Sequence, residues 1–220
     1  MLKNKLLVFI TIIGATLYSC QNNENNTTAS QLALPVLGPK MVNPQGDTLY
    51  HTIGSYKFID QNRNEFTEDI TKGKVYVADF FFTSCPVQCP KMSSQMKRLA
   101  TNTQDIEGLI FVSHAIDYKR DSVERIQEYI QNNGLDFKNW YFLEAKEYYT
   151  NVIATEDYLL LSKEDVLAAG GYAHSPLFAL IDREGRIRGY YDGQVTEEVD
   201  QLEKDIRKLF SVEYGRISNK

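Results

Sequence analysis

The feature that most constrains the fold is the run from Val75 to Phe82, Val-Tyr-Val-Ala-Asp-Phe-Phe-Phe, which empties into Thr83-Ser84-Cys85-Pro86-Val87-Gln88-Cys89-Pro90. A short run this rich in β-branched and aromatic residues predicts a strand covered on both faces, and so a sheet with helices on either side. Pro90 suits the first turn of a helix, where its missing N–H needs no partner, and Met92, Met96 and Leu99 then form one apolar stripe. Two thiols therefore stand where a strand turns into a helix, Cys89 at the helix N-terminus and Cys85 one loop turn away. Unpaired amides and the positive end of the helix dipole favour thiolates there. Such a pair can close a disulfide, or both sulfurs can face one soft metal ion such as Cu(I) or zinc.

The start of the chain carries a second signal. Lys3 and Lys5 precede an apolar run from Leu6 to Leu17, which ends in Leu17-Tyr18-Ser19-Cys20. That run is short for a membrane span, and a small residue before a cysteine resembles a bacterial lipoprotein signal in which Cys20 becomes the lipidated first residue. An ordinary cleaved signal and an uncleaved apolar anchor are the other readings of the same segment. The expectation is a signal over 1–20 and a location in the cell envelope, lipid-anchored and facing the extracytoplasmic space. In that setting a cysteine pair oxidises unless a reductant keeps it reduced. Gln21 to Gln31 is polar and without hydrophobic pattern, so 21–54 reads as a flexible tether followed by an extended lead-in interrupted by Pro35, Pro39 and Pro44.

The residues that remain suffice for one domain, placed over 55–210 with a tail at 211–220. The net charge of −5 and the lack of a basic stripe argue against a nucleic-acid partner. Tyr56 to Asp60 and Asn64 to Thr67 read as an N-terminal hairpin. Leu109 to Ser113 and Trp140 to Leu143 read as further strands, and Leu177 to Asp182 with Arg186 to Tyr191 as a closing hairpin turned at Gly185. Asp121-Ser122 caps a helix ending near Asn133-Gly134, Ala145 to Ala154 reads as a short helix, and Glu197 to Phe210 as the last. The architecture expected is α/β, a central mixed sheet flanked by helices.

Of three histidines, His51 reads as solvated and His114 as hydrogen-bonded near the site. His174 lies in Gly170-Gly171-Tyr172-Ala173-His174-Ser175-Pro176, a flexible loop leading into a core strand. Two thiolates and one imidazole make a chemically sensible copper site. The tract from Ala145 to Gly171 reads as core and loop, with a partner surface as the alternative.

Thr83 to Met92 with its Cys-Pro-x-x-Cys-Pro, Ser113-His114-Ala115-Ile116-Asp117 with Arg120-Asp121-Ser122, and His174-Ser175 ahead of Asp182 together resemble the Sco/SenC family. The resemblance spans about Ser55 to Phe210. It implies a thioredoxin-like fold, copper held by Cys85, Cys89 and His174, and a membrane-tethered chaperone serving a cuproprotein such as a cytochrome c oxidase subunit. A thiol reductant is then an implied second partner. Two features set this chain apart: Ala173 stands where the family often has an acidic residue, and Pro176 stands where thioredoxin-like oxidoreductases carry a cis-proline. The alternative function is a thiol-disulfide oxidoreductase in which Cys85 and Cys89 attack and resolve a partner's disulfide, with the Ser175–Pro176 bond cis.

Overall fold

A computed structural model describes residues 33–213. Cys20, the segments 1–20 and 21–32, and most of the tail lie outside the described residues. The lead-in is more ordered than the sequence suggests. Lys40–Val42 (β1) pairs antiparallel with Thr48–Tyr50 (β2), turned where the Asn43 side chain accepts from the amides of Gln45 and Asp47. It is also pinned to the body: Arg188, 2% exposed, donates to the carbonyl oxygens of Leu34 and Pro35 while pairing with Asp182 and Glu213.

Lys57–Ile59 (β3) and Glu65–Thr67 (β4) form the expected hairpin, burying Phe58 and Phe66, and Glu68–Thr71 (α1) leads to the core. Val75–Phe81 (β5) is buried at every residue, as is Leu109–Ala115 (β6), the pattern of strands covered on both faces. Between them runs Gln88–Asn102 (α2), whose stripe of Met92, Met96 and Leu99 is buried. Val123–Asn133 (α3) begins at Ser122, which accepts from the Arg125 amide, and ends at Gly134, whose φ of 61° provides the left-handed cap. Trp140–Leu143 (β7) follows.

Glu147–Val152 (α4) continues as a π-helical turn over Ile153–Asp157. Ser162–Glu164 (β8) then pairs antiparallel with Tyr172–His174 (β9). The loop expected to be flexible around His174 is thus half of a hairpin. Leu177–Ile181 (β10), Ile187–Asp192 (β11) and Thr196–Lys208 (α5) complete the chain. The central sheet has the order β11-β10-β5-β6-β7, parallel for β5-β6-β7 and antiparallel for β11-β10-β5. Helices flank it, α5 being tied to α2 by Arg98–Asp200 at 2.6 Å. No helix of the described residues is long and apolar enough to cross a membrane.

Two expectations are corrected. Ser175–Pro176 is trans, as are all described peptide bonds; the segment is held in line with β9 by the Ser175 amide donating to Leu161 and by the Pro176 carbonyl accepting from Gly193. His51 is not free in solvent, because its Nε2 bonds the Asp157 carbonyl oxygen at 2.6 Å. The 145–171 tract contributes Ile153, Ala154, Tyr158 and Leu160 to the core, while Val166 and Leu167 at the β8–β9 turn are almost fully exposed.

Candidate metal centre

β5 delivers Cys85 to the loop at its end, and the first turn of α2 carries Cys89. β9 brings His174 across from the other side. The ligand atoms of all three lie within 4.8 Å of one another, the only such group of metal-ligating side chains found among the described residues. Cys89 Sγ is 3.4 Å from His174 Nε2, and the Cys89 amide donates to Cys85 Sγ at 3.3 Å. Both thiols are free; Cys89 is 1% exposed and Cys85 9%. A cleft of about 320 Å³, lined in part by Cys85, Pro86, Gln88, Ala168 and His174, opens onto the group.

The two sulfurs are electrostatically unequal. A hydrogen bond from the Cys89 thiol, aided by backbone amides, lowers the Cys85 pKa, whereas that same bond and burial raise Cys89. Negative charge therefore gathers on the more open sulfur. Beneath them Asp79 is buried, which pushes its carboxyl up to about 6 against the opposing hydrogen bond from Ser113. Ser113 in turn accepts from Trp140 Nε1 at 2.9 Å, so the pair is fixed by β7.

The imidazole tautomer is set locally. His174 Nδ1 donates to the Ser175 carbonyl oxygen at 3.0 Å, an acceptor only, which leaves Nε2 with its lone pair toward the thiols. Phe82 meets the ring edge-on at 5.7 Å. Gly170, at φ +82°, lays its backbone on Phe82, where an added Cβ would come within 2.5 Å of the ring.

Sequence reasoning found Cys85, Cys89 and His174, and the structure brings them together. It does not bring in Pro176 as a cis turn facing the thiols, and His114 stays outside the ligand group, hydrogen-bonded as expected through Nε2 to the Tyr158 hydroxyl at 3.4 Å and fully buried between aromatic rings, with its pKa pressed down to about 3 by burial. What it missed is the scaffold formed by Asp117 to Asp121. Asp121 accepts from the amide and hydroxyl of Thr83, holding the cysteine loop; it is not the helix cap, a role Ser122 fills alone. Asp117 pairs with Arg120 and accepts from Tyr172 at 3.2 Å, and Arg120 donates to the Gly170 carbonyl oxygen at 2.5 Å, holding the histidine hairpin. The clue in the sequence was two aspartates flanking an arginine just after a buried strand.

The SCO1/SenC family profile matches residues 44–211. The chain belongs to the SCO1/SenC family. A SCO1 protein homolog of Bacillus subtilis is 26% identical over 168 residues, covering 73% of this chain and 84% of that protein. Among solved structures, a SCO1/SenC family lipoprotein from Bacillus anthracis aligns with a TM-score of 0.67 at 27% identity, covering 72% of this chain and 95% of its own. Copper-bound ScoI of Bradyrhizobium japonicum aligns with a TM-score of 0.58 at 21% identity, covering 70% and 98%, and shares the fold. The fold is thioredoxin-like, and it places the Cys85 loop and the His174 hairpin on one rim of the sheet.

Proposed function

We propose that this Sco protein is a membrane-tethered copper chaperone that takes up one copper ion on Cys85, Cys89 and His174 and passes it to a membrane cuproprotein, a subunit of cytochrome c oxidase. The carrying observation is the convergence of two sulfurs and one imidazole nitrogen within 4.8 Å, with the imidazole proton already parked on Nδ1. That donor set is soft and partly nitrogenous, which suits copper in either oxidation state. The copper in the Bradyrhizobium relative supports the same cargo. The tether is assigned to Cys20 at the end of the apolar leader, supported by the lipoprotein pattern and by the Bacillus anthracis relative described as a lipoprotein. The division proposed is signal 1–20, tether and lead-in 21–54, binding domain 55–210 and tail 211–220. Titrating the reduced protein with Cu(I) under anaerobic conditions, against a chromophoric chelator, tests the reading: one copper per chain is expected, and no uptake contradicts it.

The inequality of the thiols favours a second use of the same atoms. Cys85, the more exposed and more acidic sulfur, would attack a partner's disulfide as thiolate and release one partner thiolate. Cys89 would then attack the Cys85 sulfur of the mixed disulfide, releasing the second partner thiolate and leaving Cys85–Cys89 oxidised as the partner gains two electrons. Trapping a partner with Cys89→Ser but not with Cys85→Ser supports this use; no mixed disulfide with either opposes it.

A further inference from the structure

We infer that Gln88 competes with the metal for the lone pair of His174 Nε2, and so sets how readily the centre takes up its third ligand. The inference rests on the copper reading above. Gln88 is the first residue of α2, between the exposed Val87 and the buried Cys89. Its side-chain amide nitrogen lies 2.6 Å from His174 Nε2 and 3.4 Å from the His174 carbonyl oxygen. The ring's other nitrogen already donates to Ser175, so Nε2 is the acceptor and the Gln88 N–H is the donor.

For His174 to ligate through Nε2, the Gln88 hydrogen bond must break and the nitrogen–metal bond form in its place. No proton leaves the imidazole, because Nδ1 keeps it. The displaced amide is half-buried at the mouth of the cleft it lines, where the swung-out side chain reaches water. Exchanging a protein partner for water costs little, so the effect is a graded bias rather than a block. The bias falls unequally on the two copper states. Cu(I) is content with two thiolates and is held without opening the Gln88–His174 contact. Cu(II) draws on nitrogen and must open it. Gln88 thereby tilts the centre toward Cu(I).

The test compares wild type with Gln88→Ala and with Gln88→Met, the latter keeping side-chain length without an N–H donor. Losing one neutral hydrogen bond should raise Cu(II) affinity by about 2- to 10-fold, with Cu(I) affinity measured by chelator competition moving by less than about 2-fold. A metal-free readout accompanies it: the ¹⁵N resonance of His174 Nε2 should shift in both variants while the Nδ1–H tautomer is kept. A Cu(II) affinity that stays level overturns the competition. A Cu(II) affinity that falls overturns it as well, and makes Gln88 a ligand or a support of the bound state. Copper uptake by none of the proteins, wild type included, removes the copper reading and this inference with it; uptake by wild type with level affinities removes this inference alone.

Discussion

Thr83 and Asp121 are joined twice: the Thr83 amide and hydroxyl both donate to the Asp121 carboxylate, at 3.2 Å and 2.5 Å. The pairing fastens the loop carrying Cys85 to the segment after β6, and Asp117 with Arg120 fastens the hairpin carrying His174 to that same segment. One stretch of chain thus fixes both arms of the centre.

Asp121→Ala should therefore act on stability and on the centre together. Leaving the half-buried Thr83 amide without its acceptor costs about 1 kcal/mol, read from urea unfolding of the metal-free protein. Copper affinity of the folded variant should drop by roughly 10- to 100-fold, the usual consequence of losing a group that orients ligands. A folded variant with undiminished copper affinity contradicts the positioning role.

His114 carries a pH prediction. Burial lowers its folded pKa to about 3 from 6.5, so the unfolded chain binds the additional proton and stability is lost as pH falls from 6.5 through 3. That gap corresponds to a loss on the order of 5 kcal/mol at the acid limit. Asp79 and Asp121, both raised by burial to about 6, titrate in the same window with the opposite sign, gaining stability as they protonate. The informative quantity is therefore the difference between wild type and His114→Phe, a change the surrounding Phe58, Phe80 and Tyr158 rings can pack against. The variant should gain on wild type progressively below pH 6.5; parallel profiles from pH 7 to 3 contradict the assignment.

Much of this site was legible because its local rules agree. The unbroken apolar run of β5, Pro90 in the first turn of α2, and Ser122 with Gly134 at the ends of α3 each specify an element from nearby residues alone. β8 and β9 escaped detection because each is only three residues long and the turn between them carries Val166 and Leu167 exposed, against the usual pattern. β1 and β2 escaped because all six residues are exposed, leaving no alternation to read. The course of the chain around Pro176 was not legible because its partners, Leu161 and Gly193, are distant in sequence.

Cys20→Ser tests the anchor. The variant should move from the membrane to the soluble fraction while retaining wild-type unfolding and copper binding, since the described body begins well beyond that residue. A variant that remains membrane-bound and uncleaved replaces the lipid with an apolar anchor.

The central claim is that Cys85, Cys89 and His174 act as one copper site, and the most direct measurement is parallel Cu(I) and Cu(II) titration of Cys85→Ser, Cys89→Ser and His174→Ala beside wild type. Loss of tight Cu(I) binding is predicted for each serine variant. His174→Ala should retain most of its Cu(I) affinity and lose most of its Cu(II) affinity, because Cu(I) can rest on two thiolates and Cu(II) seeks nitrogen. Affinities unchanged in all three variants would contradict the account.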